Sequence, residues 1–424
     1  MTPTPTDATE VVQAGGSLEF QGVPIDIPRT AEVPPRRAST PEYDDGDLGH
    51  AGPASETAPA PHWLARDWKP VTTHGDWLGV EPPSREWLLA RDGRGALAAG
   101  VVGLLIAPGG RGKTMSLVDL ALAVATGTSW LGAFDVVRPG RVALLLAEED
   151  LAEVRRRLYY IARARGMSDS DRALAADRIV PLGLSGHDVS LVSGDRELVT
   201  ATAMHAAITS LVSAEPWSLI IMDPLARFAP SAEGDNAVAT RAIESLEQIA
   251  RAARATVIVA HHTSKWSRRD PSQASGGSAA RGVTGITDGA RWVAELTGDG
   301  DDLSFELSKT NGPRHEPVRL VRDVDTGAIR AATGAEVSRH DDDRAASKVA
   351  ADDQAVADLA DKLLMALLRS PVPVLGQRAL KELVSGRATT KTRAVARLQN
   401  ERRISGGGSV PYQAVSPAVH EAAQ

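Results

Sequence analysis

The octapeptide Ala107-Pro108-Gly109-Gly110-Arg111-Gly112-Lys113-Thr114 decides how the rest of the chain is read. It closes the apolar run VVGLLIA (101–107) and opens a segment where Leu117, Leu120, Ala121 and Val124 recur at helical spacing. A strand, a glycine-rich turn and a helix therefore follow one another. Glycines let the backbone curl until successive N–H groups point inward, and the helix start adds partial positive charge. Lys113 places a cation at the same spot. The result is a cradle for an anion.

In that context the octapeptide reads as a Walker A motif, which departs from the consensus in having Ala107 at the first glycine. Pro108, Gly109, Gly110, Arg111, Gly112, Lys113, Thr114 and Met115 are the expected lining of an ATP site. The Thr114 hydroxyl is the expected ligand of Mg²⁺. Further along stand RVALLLAEE (141–149), WSLIIMD (217–223) and ATVIVAHH (255–262), with helix-like sequence between them. Continuous apolar strands alternating with helices call for a mostly parallel sheet covered on both faces. RWVAEL, DDLSFELSK and VRLVRDV, separated by tight turns, are expected as antiparallel edge strands. Asp223 closes its strand where a carboxylate faces the nucleotide crevice, the expected second anchor for the magnesium. Glu148 and Glu149 follow another strand, and a glutamate there can deprotonate an attacking water. Neighbouring strand side chains face opposite ways, so one of the two, with Glu149 preferred, enters the site. The other meets solvent or an arginine of RRRL (155–158).

At 424 residues the chain is expected to hold two or three units. Cysteine is absent, which excludes disulfides and thiolate metal sites. The first fifteen residues lack a signal pattern, and no apolar run approaches the ~18 residues of a membrane helix, so a cytoplasmic location is expected. A net charge of −7 argues against a surface that coats nucleic acid, but not against a local basic groove. Residues 1–62, rich in Pro, Ala and acids, are expected to be disordered. Residues 63–98 carry Trp63, Trp68, Trp77 and Trp87 and form a lead-in that packs on the next domain or on a neighbouring subunit. The catalytic domain is expected over 99–333, a linker over 334–352, a small domain over 353–415 and a tail over 416–424.

With these pieces in order, the chain resembles the RepA-like hexameric helicases of the RecA/DnaB-type ATPases. The resemblance rests on GLLIAPGGRGKTMSLVDLALAVATG, LLLAEEDLAEVRRRL, LIIMDPLARF, VIVAHHTSK, RGVTGITDGARWV and SKTNGP, across roughly residues 85–325. It implies a RecA-like core and a DNA helicase of a plasmid, phage or integrated element. Glu149 matches the catalytic glutamate, and His262 matches a sensor of the γ-phosphate. Arg291, with Arg281 as its rival, matches an arginine inserted into the neighbouring subunit's site, and Lys309 matches a second such cation. The resemblance therefore implies a homo-oligomeric ring, hexameric by family habit, around single-stranded DNA. Loops 227–237 and 264–282 are expected to face the channel. The last region has the element order of a winged helix, with eight Lys or Arg against two Glu between Gly376 and Ile404. Its third helix, with Arg393, Arg397 and Asn400 outward, suits duplex DNA or a protein partner. A recombination or repair ATPase, and a nucleotide-switched DNA-binding regulator, are the alternatives.

Overall fold

The computed structural model describes residues 75–194, 198–262 and 284–415, and the backbone of 17–20 and 23–26. The chain divides into two compact units, 1–331 and 332–424.

In the first unit the strands are β1 (Ser17–Phe20), β2 (Val23–Asp26), β3 (Trp87–Arg91), β4 (Arg94–Ala98), β5 (Val102–Ala107), β6 (Asp135–Val136), β7 (Val142–Leu146), β8 (Ile179–Gly183), β9 (Val192–Gly194), β10 (Val199–Ala201), β11 (Leu219–Asp223) and β12 (Thr256–His262). β13 (Trp292–Asp299), β14 (Asp302–Lys309), β15 (Val318–Arg322) and β16 (Ile329–Ala331) follow. The helices are α1 (Lys113–Thr126), α2 (Leu151–Ala164), α3 (Asp169–Arg178), α4 (Ala203–Ser213), α5 (Leu225–Phe228), α6 (Asn236–Ala253) and α7 (Thr284–Gly289).

Nine strands form one sheet in the order β16-β15-β14-β13-β5-β12-β11-β7-β8. The block from β13 to β8 is parallel and the rest is antiparallel. RWVAEL, expected as an antiparallel addition, instead joins the parallel block, with Trp292 opposite Gly103. Helix α7 precedes it, so the chain crosses over before the strand and returns in the same direction as β5. The four central runs are buried on both sides, as a covered parallel sheet demands. In β5, Leu105 and Ala107 face the core under α1 and α2, while Val102, Leu104 and Ile106 face the core under α6. β7, β11 and β12 alternate in the same way.

The lead-in does not stop at the expected boundary. β3, β4 and β6 make a small sheet whose Leu88, Leu89, Ala96 and Leu97 enter the main core. A Cβ on Gly95 would run into the Trp87 indole, so only glycine lets that ring lie flat on β4. Trp77 is largely exposed, and Trp63 and Trp68 lie outside the described residues. Within 1–62, SLEF and VPID pair as an antiparallel hairpin, because each alternates apolar and polar residues.

The second unit holds α8 (Gly334–Leu368), α9 (Gly376–Glu382), α10 (Ala388–Asn400), β17 (Ile404–Gly407) and β18 (Val410–Ala414). The stretch expected as a linker is the first half of α8. A Thr333–Glu336 capping box starts that helix, and Ala-rich sequence with Asp, Lys and Arg sustains it. Nothing in it is buried before Val356. Beyond that point Leu359, Leu363, Leu380, Val395, Leu398, Ile404 and Tyr412 share one core, so three helices and a hairpin fold together. Val395 and Leu398 face inward on α10, as the spacing requires.

Phe305 on β14 packs edge-on against Trp130 and Phe134, with ring centroids 5.1 and 5.3 Å away. This joins the antiparallel strands to the core over α1. Phe305→Ala is expected to lower the unfolding free energy of the first unit by about 3–5 kcal/mol. In denaturant titrations the exposed Val410→Ala control should move the midpoint hardly at all.

Candidate functional site: the phosphate loop and its surroundings

The loop after β5 takes its shape from two glycines. Gly110 and Gly112 have φ of 77° and 90°, in the left-handed region. At Gly112 a Cβ would lie 2.5 Å from Ile329 and 3.1 Å from the Arg322 guanidinium, so no larger residue fits. Ala107 is the last residue of β5, opposite His262 and almost fully buried. Its backbone is ordinary strand, which is why the first consensus glycine is not needed there. Helix α1 begins at Lys113 with no side-chain cap. Its first N–H groups are left for a ligand or water.

The sheet order puts β12 between β5 and β11, and this brings three side chains to one point. Lys113 is buried, and its Nζ donates to the carbonyls of Ala107 at 2.9 Å and Pro108 at 3.3 Å. The same Nζ lies 2.9 Å from His262 Nδ1. Burial and the Lys113 charge hold the His262 pKa below the usual imidazole value, so the ring is neutral at pH 7 and Nδ1 accepts from the ammonium. The Thr114 hydroxyl donates to Asp223 Oδ2 at 2.5 Å. Asp223 is buried at the carboxyl end of β11, and desolvation raises its pKa despite the Thr114 hydrogen bond and the Lys113 charge.

Glu148 and Glu149 both line the same cleft, whose volume is about 370 Å³. β7 ends at Leu146, so strand alternation does not decide between them. Glu149 Oε1 pairs with Arg157 Nη2 at 2.9 Å, while Glu148 is exposed. The RRRL arginine thus meets the glutamate preferred for the site and not its neighbour. Desolvation raises the Glu149 pKa, opposed by Arg157 and reinforced by Asp223 and Glu148. His261 points away from the cleft and lies 3.5 Å from Glu233. Burial pushes its pKa down to about 4, as suits a structural histidine.

Arg291 and Lys309 are not in this cleft. The Arg291 N–H donates to Val102 O, which sets it at the opposite end of β5, roughly 15 Å from the loop. Lys309 faces Val293 on β14 and donates to the carbonyls of Thr287 and Asp288 at 2.9 and 2.8 Å. Burial and Arg291 lower its pKa. The two cations form a pair of their own. The rival Arg281 and the loop 264–282 lie outside the described residues. The other expected channel loop, 227–237, is pinned by buried Phe228, Ala229 and Ala232. Its charged residues are Arg227, Glu233 and Asp235, so it is not cationic.

Two residues in the cleft escaped the sequence reading. Arg157 carries a signal, since it lies one helical turn from Glu153, with which it also pairs. Arg322 has none. It comes from β15, far along the chain, and donates to Gly110 O at 3.1 Å.

The donor set fits a nucleotide-borne Mg²⁺. Thr114 and Asp223 offer a hydroxyl and a carboxylate side by side, and Mg²⁺ commonly takes few protein ligands plus phosphate oxygens. Among the described residues no group of three or more His, Cys, Asp or Glu could hold a metal by itself. Nor is any described helix long and apolar enough to cross a membrane.

The desolvated Asp223 makes a prediction about the protein without nucleotide. Its folded pKa lies above the unfolded value of 3.8, so its destabilising effect is present at neutral pH and is relieved as pH falls toward 3.8. Asp223→Asn keeps the acceptor for Thr114 and removes the charge. The variant is expected to melt roughly 2–4 °C above wild type at pH 7.5. The gap should shrink on acidification, and a lower melting point would contradict the desolvation argument.

Residues 65–268 match the family described as AAA domain. Among solved structures similar to this chain is a helicase-class ATPase domain, 15% identical over 55% of this chain and 85% of that one, with a TM-score of 0.41. A DnaB-like replicative helicase, described with its interactions with primase, is 15% identical over 55% of this chain and 59% of its own, with a TM-score of 0.42. The RadB recombinase is 18% identical over 56% of this chain and 94% of its own, with a TM-score of 0.37. With its phosphate loop, its mixed sheet and the match over 65–268, the first unit is a RecA-like P-loop ATPase.

Proposed function

We propose that this protein hydrolyses ATP within a ring of its own copies and uses the cycle to move along single-stranded DNA, as a replicative helicase of a plasmid, phage or integrated element. The observation that supports this best is the distance between the two groups of charged residues. Lys113, Thr114, Asp223 and His262 meet at the carboxyl edge of the sheet, whereas Arg291 and Lys309 stand at its other end. A cation so placed can reach a phosphate only in a neighbouring copy.

In this reading the loop N–H groups and the start of α1 hold the phosphates, and Lys113 leaves its own carbonyls to neutralise them. Magnesium arriving with the nucleotide supplies Lewis-acid charge neutralisation, and Thr114 and Asp223 hold it. Glu149, or Glu148 beside it, orients and deprotonates the attacking water. Arg157 keeps the Glu149 carboxylate in place until then. His262 touches Lys113 from β12 and so registers whether the ammonium faces its own loop or a phosphate. Arg291 stabilises charge on the neighbour's transferring phosphoryl group. In the second unit, Arg393 is held by Asp352 and Asp353, and Arg397 by Glu401. Duplex contact therefore falls first to Arg387, Lys391 and Arg402 on the same unit, as phosphate contacts.

Lys113→Ala is expected to abolish DNA-stimulated hydrolysis and strand separation. Arg291→Ala should keep ATP binding and lose about 10³-fold or more in rate. Mixing the two inactive proteins restores interfaces that carry one intact loop and one intact arginine. ATPase activity that stays absent in the mixture would exclude Arg291 as a group acting between copies.

A further inference from the structure

The antiparallel strands carry a cation to the phosphate loop from the flank opposite Asp223, His262 and Glu149. Arg322 ends β15, half-buried, with one Nη donating to Gly110 O and its guanidinium against Gly112. Its Nε is buried with no hydrogen-bond partner. Among the described residues no carboxylate pairs with it, and the nearest charge is a second cation, Arg111, which pairs with Asp299 on the β13–β14 turn. Burial and Arg111 both lower the Arg322 pKa. A guanidinium with buried unsatisfied N–H groups and no counter-ion is costly unless an anion completes it.

The turn that follows is rigid. Asp323 accepts from the Thr326 N–H at 2.7 Å and from its hydroxyl at 2.6 Å, and Gly327 N–H donates to Asp323 O at 2.8 Å. A Cβ on Gly327 would touch Met115 at 3.4 Å, so this turn stands over the beginning of α1. Arg322 and Gly327 line the same cleft as Lys113 and Thr114.

We infer that Arg322 is a nucleotide-binding residue acting in cis, whose guanidinium holds the α- and β-phosphates of the bound nucleotide against the loop. This rests on the nucleotide reading of the cleft. The reacting end of the triphosphate is marked by Asp223, His262 and Glu149, on β11, β12 and the end of β7. Arg322 arrives from beyond β13, beside Gly112 and Met115, where the non-transferred phosphates lie over the start of α1. It completes its hydrogen bonds on groups that ATP and ADP share. It therefore contributes to affinity for both, and little to the transfer step.

The test is titration of the full-length protein with Mg-ATP and with Mg-ADP, followed by steady-state hydrolysis. In Arg322→Ala both dissociation constants are expected to rise by about tenfold or more, by similar factors, as for loss of a charge-assisted hydrogen bond. The loss should appear in KM rather than kcat, and Arg322→Lys should recover part of it. Should Arg322→Ala fold poorly, Arg322→Met keeps the aliphatic stem over Gly112 and carries the same test. Binding within twofold of wild type in the variant, while wild type binds both nucleotides, overturns the inference and leaves the phosphate site standing. A loss confined to ATP also overturns it, because that places the guanidinium at the γ-phosphate. Wild type that binds neither nucleotide removes the phosphate site and this inference together.

Discussion

A buried ammonium folded back on its own loop governs this site. Lys113 occupies the carbonyls of Ala107 and Pro108 and the neutral ring of His262, which together satisfy the donors of a charge removed from water. Such a charge is tolerated only with close partners. Three separate strands must end at the same level to supply them, so the register of β5 against β12 and of β11 against β7 bears directly on the chemistry. Ala107 opposite His262, and Asp223 opposite Leu146, are the pairings that set this level.

The same region forgoes stability that an ordinary domain would keep. Helix α1 lacks an N-cap, although a good cap contributes about 1 kcal/mol. Asp223 is held in a desolvated position that favours its neutral form, and Arg322 keeps a buried Nε without a partner. These defects point the same way: uncapped N–H groups and an unbalanced guanidinium attract an anion, and a desolvated carboxylate attracts a cation. The core compensates elsewhere. Trp130 lies within it with its Nε1 bonded to Ser116 O, and buried Asp119 accepts from Arg165 and from the Leu131 N–H, tying α1 to the segments around it.

The antiparallel strands have a role in this arrangement beyond closing an edge. β13 follows directly on Arg291 and ends at Asp299, so one strand faces both the neighbour-facing cations and the phosphate loop. β15 delivers Arg322, and β16 delivers Ile329 against Gly112. A change at the loop is therefore felt by strands that also position Lys309. That route is a physical connection between the two ends of the sheet, and its energetic coupling is a separate quantity to measure.

What the chain's own order of residues determined is the local part. A glycine-rich turn between an apolar run and a helical repeat, and apolar strands without polar interruption, specify a phosphate loop on a covered parallel sheet, because periodicity and backbone freedom are properties of neighbouring residues. Lys113, Thr114, Asp223, His262 and Glu149 were legible for that reason, each next to its strand end. Tertiary structure alone decided the rest. It made RWVAEL parallel, turned 334–352 into helix and gave Arg157 to Glu149. It also consumed the outward Arg393 in an acidic pair, and carried Arg322 across more than 200 positions to Gly110. Those outcomes depend on which segments the sheet order places side by side, and no local pattern of side chains records a partner that arrives from another strand.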